Sequence, residues 1–235
     1  ADCSIAIGSG ADAAREAAQV VLLNSDFGNM RDIVYEGRKN INNITRSASL
    51  FTYKNIFSLL LSIYSIIFTM QYPLEPNQVS LGSAFIIGIP AFLLTFEENQ
   101  KKQSNGNFLR KVFKNSLPAA ITSFLAIVAM VEFSVLFNVG GQEITTACSY
   151  LFFTGGFLIL YKIIRPLNKY RTRVIILCIL GIIFTVNIMP DFFAIKAISG
   201  RAVALVTLFA IAEFSVIRWI TLIIDKIEKN TMKNY

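Results

Sequence analysis

The sequence predicts a mainly α membrane protein, a six-helix transmembrane bundle preceded by a small, incomplete α/β segment. Three observations predict this class. Apolar residues make up 54% of the 235-residue chain and charged residues only 16%, whereas soluble domains carry roughly 25% charged residues. Six apolar runs of 18–23 residues follow one another after residue 46, and about 20 helical residues cross a hydrocarbon core. Lys and Arg concentrate in alternate connections between those runs. A soluble fold of this size keeps most residues near its surface and has no core for 20 Phe. An ordinary cytosolic enzyme, a disordered chain and a secreted disulfide scaffold are therefore disfavoured. The chain has no His, which removes imidazole acid–base chemistry and His-ligated metals. Cys3, Cys148 and Cys178 lie far apart, with no Cys-x-x-Cys spacing.

The elements follow in chain order. Residues 3–7 read as a short apolar strand, Gly8-Ser9-Gly10 as a turn, 11–18 as an Ala-rich helix and 20–23 as a second strand. This is half of a parallel-sheet unit, and parallel strands need neighbours on both faces. The rest of that domain is expected upstream of Ala1. The start has no basic n-region, and the first long apolar run begins only near residue 50, so it does not read as a signal peptide. From Phe27 the pattern turns helical. Met30, Ile33, Val34, Gly37, Ile41, Ile44, Ala48 and Phe51 keep helical spacing, and no Pro precedes Pro73. One rod, capped by Asp26 or Ser25, is expected to run from the α/β segment into the membrane. The domain reading is 1–26 for the α/β remnant, 27–49 for a helical stalk, 50–224 for the spans and 225–235 for a tail. The spans are 50–70, 79–96, 117–137, 147–164, 172–189 and 202–224.

Of 22 Lys and Arg, 19 fall in residues 1–49, in the connections after the second and fourth spans, and at the C-terminal end. Lys196 and Arg201 are the two in the other connections, and Lys54 lies within the first span. The positive-inside rule then places both termini in the cytoplasm. The net charge of +7 is thus a topology signal with anionic lipid as partner, and no nucleic acid is implied.

Ala1-Asp2-Cys3-Ser4-Ile5-Ala6-Ile7-Gly8-Ser9-Gly10, with Ala13-Ala14 and Val21-Leu22-Leu23, resembles the stretch that closes the phosphorylation domain of P-type cation-transporting ATPases. Glu36-Gly37-Arg38 and Asn42-Asn43 resemble the head of that family's fifth membrane helix. Gly88-Ile89-Pro90-Ala91 resembles the Gly-x-Pro-Ala of its sixth. The six spans match helices five to ten, the last four in number and orientation only. The resemblance covers essentially the whole chain and implies the C-terminal part of such a pump: a HAD-like phosphorylation-domain fragment, then a coupling helix with Gly37, Arg38, Asn42 and Asn43. It further implies a plasma-membrane protein whose partners are the lipid bilayer, the transported cation and the missing N-terminal part. ATP and Mg2+ are the cofactors expected of the parent. The family's Asp-Lys-Thr-Gly-Thr motif, whose Asp is phosphorylated, does not occur in these residues. Nor does its Gly-Asp-Gly-x-Asn-Asp segment, so this chain alone is expected to bind no cofactor and to hydrolyse no ATP. Gly8-Ser9-Gly10 lacks the Lys and Ser/Thr of a phosphate loop.

Ionisable groups inside spans are costly and mark function by default; here they are Lys54, Glu132 and Glu213. In the family's calcium pumps the fifth helix carries an Asn and, three residues on, a Glu as ligands. These positions are Asn55 and Ser58 here, so the Asn is kept and the carboxylate lost. Lys54, just before the Asn, is similar to the built-in cation of proton/potassium pumps. The calcium pumps' Asn-x-x-Thr-Asp-Gly-x-Pro falls on Ser83 to Pro90, with Ile86 and Ile87 at the Thr and Asp positions. The resemblance thus implies Asn55, Ser58 and Ser83 as ligands beside Lys54. Calcium takes six to eight oxygens, several from carboxylates, so this set favours a proton, a monovalent ion or an ion exchanged against one, while a Glu from the family's fourth helix, expected upstream, leaves calcium open; the metal itself is unknown. Gly88 and Pro90 are expected to break the helix and free carbonyl ligands.

Other readings stand beside these. Lys54 equally suits snorkelling to the headgroups, and Glu132 suits a boundary position as well as a ligand role. Glu213, in mid-span, either pairs with another helix, stays protonated or takes part in transport. Gly155-Gly156 and Gly181 read as close helix contacts, and Glu97 and Glu98 as solvated caps of the second span. Two further functions remain open at this stage: a stand-alone secondary cation transporter or channel, and a non-catalytic membrane subunit associated with a pump.

Overall fold

The computed structural model describes residues 4–97, 108–137 and 139–233. Its first elements are strand β1 (Ile5–Ile7), helix α1 (Asp12–Ala17) and strand β2 (Val20–Leu22). The strands pair in parallel, Ile5 opposite Val20 and Ile7 opposite Leu22, as the turn-and-helix connection requires. Cys3, the expected first strand residue, lies outside the described residues. Gly8 donates its N–H to the Leu22 carbonyl at 2.7 Å. A Cβ at Gly8 would stand 2.4 Å from the Leu23 carbonyl oxygen, so this turn accepts only glycine. Ile5 and Ile7 remain exposed, since two strands and one helix cannot cover the sheet.

The long helix starts where a cap was expected. The Asp26 carboxylate accepts the Gly28 N–H at 2.8 Å and opens a 3-10 turn, Phe27–Asn29, which runs into α2 (Met30–Ile67). Ser25, the other expected cap, sits in the left-handed region at φ 55° and accepts the Ser9 N–H instead. α2 is one uninterrupted helix of 38 residues. In its first part Ile33, Val34, Ile41 and Ile44 stay exposed, on the spacing of the predicted apolar stripe.

The remaining elements are α3 (Pro76–Gly82), a π-helical turn (Ser83–Gly88), α4 (Ile89–Thr95), α5 (Phe108–Leu136), α6 (Gly141–Ile163), α7 (Lys169–Ile188) and α8 (Gly200–Lys233). With α2, and with α3 to α4 counted as one, six helical segments are long and apolar enough to cross a membrane. α8 continues as helix through most of the segment read as a tail. In lipid every backbone polar group must be satisfied internally, which is why apolar runs of this length become helices.

α5, α6 and α8 pack most closely together. Small residues allow the closest approaches: a Cβ at Gly156 would meet Ile86 at 2.6 Å and one at Gly181 would meet Phe85 at 2.2 Å, so both are helix contacts. α2 joins through large side chains. Tyr53 and Phe57 of α2 and Phe152 of α6 form a stacked trio with ring centroids 5.2–6.3 Å apart. At another point of the bundle, buried Gln78 donates to the Ala194 carbonyl at 2.8 Å, tying α3 to the α7–α8 connection.

Glu97 departs from the sequence reading. It is buried, at 7% exposure, not a solvated cap; Glu98 lies outside the described residues. Its carboxylate accepts from Arg171 Nε at 2.7 and 2.9 Å, Asn168 Nδ2 at 2.7 Å and Arg46 Nη1 at 3.2 Å. Arg171 also donates to the carbonyls of Ile164 and Pro166. One carboxylate therefore joins α2, the end of α4, the α6–α7 connection and α7. Burial pushes the Glu97 carboxyl up, but the hydrogen bonds from Arg171 and Asn168 and the charges of Arg171 and Arg46 together hold it below the usual carboxylate range.

Removing one member of a buried ion pair leaves an uncompensated charge at about 3–5 kcal/mol. Glu97→Gln is expected to lower the thermal unfolding midpoint in detergent accordingly. Because the folded carboxyl is held below its unfolded value, the stability it adds is present at neutral pH and lost as pH falls through the folded value. The acid-dependent part of the melting curve should therefore shrink in Glu97→Gln. A variant with the parent midpoint and the parent acid dependence would contradict this assignment.

Candidate functional site

The predicted site residues are spread over several parts of the fold. Lys54, Asn55 and Ser58 lie on α2, with Lys54 and Ser58 half-buried and Asn55 exposed. Ser83 opens the π-helical turn and donates to the Val79 carbonyl at 2.6 Å. Ile86 and Ile87 are buried, Gly88 is exposed and Pro90 is buried. Gly88 and Pro90 do not interrupt the helix; it widens and continues to Thr95. The physical reason is Pro90, which has no N–H and whose ring crowds the preceding turn. A π turn absorbs both effects. Ile89 N–H bonds to the Ala84 carbonyl, so the Phe85 and Ile86 carbonyls lose the amide donors that a regular α-helix would supply. Among the described residues no hydrogen bond links Asn55 or Ser58 to Ser83.

The coupling residues lie nearer the start of α2. Gly37 has open space where a Cβ would stand, and Arg38 is exposed. Asn42 is buried, and the Asn43 Oδ1 is buried without a partner among the described residues.

A further group lies in mid-bundle. The Tyr53 hydroxyl of α2 donates toward Ser123 Oγ of α5 at 3.2 Å and the Phe152 carbonyl of α6 at 3.4 Å. Gly155 makes this possible, since a Cβ there would lie 1.8 Å from Ser123 Oγ and 3.1 Å from the Tyr53 oxygen. Glu213 of α8 is 1% exposed. Among the described residues neither carboxylate oxygen has a partner in good hydrogen-bond geometry; Ser123, close enough to interact, and Tyr53 are its polar neighbours. Glu132 is apart from this cluster: it is exposed and accepts the Tyr64 hydroxyl.

The chemistry open to these groups is limited. Among the described residues no three His, Cys, Asp or Glu are gathered to hold a metal; a cation on α2 and α3 would meet amide, hydroxyl and carbonyl oxygens. The Gly8–Gly10 turn is closed against the Leu22 and Leu23 carbonyls. Sequence reasoning missed Tyr53, Ser123, Gly155 and the Phe152 carbonyl as surroundings of Glu213. A Tyr and a Ser inside apolar runs were the available signal, but helical periodicity alone does not reveal which helices face one another.

No family model matches the chain. Over 193 residues, 79% of the chain, it is 34% identical to the probable cation-transporting ATPase exp7 of Streptococcus pneumoniae, of which it covers 25%. It is 29% identical over 208 residues to the calcium-transporting ATPase CtpE of Mycolicibacterium smegmatis, covering 82% of the chain and 26% of that protein. It is 31% identical over 152 residues to the human potassium-transporting ATPase alpha chain 2, covering 61% and 14%. The chain thus spans about a quarter of the length of the first two relatives.

A methyl group at Gly155 must displace Ser123 and Tyr53. Gly155→Ala is expected to cost on the order of 1–3 kcal/mol, the usual penalty of overpacking. Adding Ser123→Ala, which removes the clashing oxygen, should recover part of that loss. Equal melting points for the single and double variants would contradict the described packing.

Proposed function

Because this chain belongs to the P-type cation-transporting ATPases and matches their C-terminal membrane part, we propose that it forms six helices of an ATP-driven cation pump, with α2 as the coupling rod. ATP and Mg2+ act in the part of the pump outside these residues, where an Asp is phosphorylated. Movement there reaches the membrane through α2, and the cation passes Asn55, Ser58, Ser83 and the carbonyls ahead of Pro90. The observation that carries this reading is the unbroken α2, which bears both the family-like Gly37, Arg38, Asn42 and Asn43 and, about three turns on, Lys54, Asn55 and Ser58. A helix of that length transmits displacement because bending it breaks backbone hydrogen bonds.

The ligand set defines the cation. Its oxygens are neutral and Lys54 adds a positive charge, so the site suits a proton or a monovalent ion better than one requiring several carboxylates. The CtpE relatives are named calcium-transporting and the human relative potassium-transporting; the loss of the carboxylate at Ser58 and the Ile at 86 and 87 favour the monovalent side. The Lys and Arg bias supports a cytoplasmic position for both termini, and the family supports a plasma-membrane protein.

The test uses the full-length pump in proteoliposomes. Asn55→Ala is expected to raise the half-saturating cation concentration about tenfold or more, or ~1.4 kcal/mol. Lys54→Ala should alter ion selectivity or the pH dependence of turnover. Ile41→Pro removes a helical hydrogen bond and kinks α2 at about 3 kcal/mol or more; phosphorylation should persist while transport is lost. Parent-like cation affinity in Asn55→Ala would remove the proposed path, and parent-like transport in Ile41→Pro would remove the coupling role.

A further inference from the structure

Glu213 is not explained by that path. It is buried in mid-span on α8 with both oxygens unpaired, and an isolated ionised carboxylate in an apolar interior is far too costly to persist. Something must balance it. Among the described residues no Lys or Arg forms a hydrogen bond with it. From α2 it faces Tyr53, from α5 Ser123, and from α6 the Phe152 carbonyl lies at the Tyr53 hydroxyl. None of these carries a positive charge, and two uncharged hydroxyls are too few oxygens for a metal ion. A proton needs only one acceptor, and Ser123 Oγ is such an acceptor.

A cavity also lies along the helix that carries the carboxyl. A cavity of about 490 Å³ opens between α6 and α8. Lys162, Arg165, Arg218 and Thr221 line one end, where Lys162 Nζ donates to Thr221 Oγ1 at 3.0 Å. Phe214 and Ile217 line it as well, the residues next to Glu213 and one turn beyond it. The cavity thus runs along α8 from a strongly polar helix end to residues adjoining Glu213, which does not itself line it.

Resting on the pump reading above, we propose that Glu213, with Ser123 and Tyr53, is a proton site of the pump, separate from the cation path at Asn55 and Ser83 and supplied through the α6–α8 cavity. The proton binds a Glu213 oxygen, and the resulting O–H donates to Ser123 Oγ. When α2 moves, Tyr53 moves with it, the hydroxyl pair that lines the carboxyl is disturbed, and the proton leaves the same oxygen. The site is therefore read by the coupling helix on the face opposite the cation ligands.

The experiment is carbodiimide labelling of the full-length pump in proteoliposomes, read by mass spectrometry at Glu213. Dicyclohexylcarbodiimide adds across the O–H of a protonated carboxyl, and the acyl group then shifts to nitrogen with no leaving group. Labelling of the parent protein is expected to rise as pH falls, by up to about tenfold per pH unit on the alkaline side of the titration. E213Q should flatten the pH dependence of ATP-driven transport. Absence of labelling at every pH, labelling that saturating transported cation abolishes at constant pH, or a parent-like pH profile in E213Q would each overturn the proposal. The labelling arm needs no variant, so misfolding of E213Q does not shield the idea. A failure of Asn55→Ala to change cation affinity, with Glu213 still labelled, would strike the cation path and leave this site standing.

Discussion

Glu97, ionised and buried between Arg46 and Arg171, is the contact on which the arrangement of α2, α4 and α7 depends. A charge in that position is tolerable only while both guanidiniums and the Asn168 amide stay on it. The contact therefore fixes the height and rotation of α2. Arg46, Leu50, Tyr53, Phe57, Leu61 and Tyr64 are all buried and share one face at three- and four-residue spacing. Once Arg46 is held, Tyr53 must point at Ser123 and Phe152. Asn55, two residues on, must point elsewhere, and it is exposed.

That division of faces sets two groups of polar side chains apart on one helix. The buried face meets the mid-bundle cluster with Glu213. The other face carries the amide and hydroxyl groups assigned to the cation. The π turn before Pro90 supplies an irregularity in the next span along the chain, with carbonyls relieved of their helical donors. Backbone of that kind at membrane depth is tolerated where it is buried in protein or lines a polar space. Glu132, itself exposed and bonded to Tyr64, is apart from both groups.

Much of the fold was legible because the controlling terms are local. Run length set the spans, Asp26 supplied the cap, and Gly8-Ser9-Gly10 marked the turn between two strands. The Glu97 network was not legible, since a carboxylate just past a span is ordinarily solvated and its partners lie 51 and 74 residues away. Pro90 and Gly88 signalled irregularity, but a kink and a π turn have the same sequence cue. Ile33, Val34, Ile41 and Ile44 announced a helix without saying what covers them. Glu213 stood out as a charge in mid-span, whereas its neighbours Tyr53 and Ser123 come from helices whose pairing only packing decides.

The most direct test of the central claim, that the exposed polar face of α2 lies in the cation path, is the reactivity of a thiol placed there. Cys148 and Cys178 are buried, so Asn55→Cys in the full-length pump offers an accessible target for a small hydrophilic thiol reagent. If the claim holds, saturating transported cation slows modification at residue 55 by about tenfold or more, the kinetic mark of an occupied site, and ATP-driven cycling changes that rate again. A modification rate indifferent to both cation and ATP would contradict it.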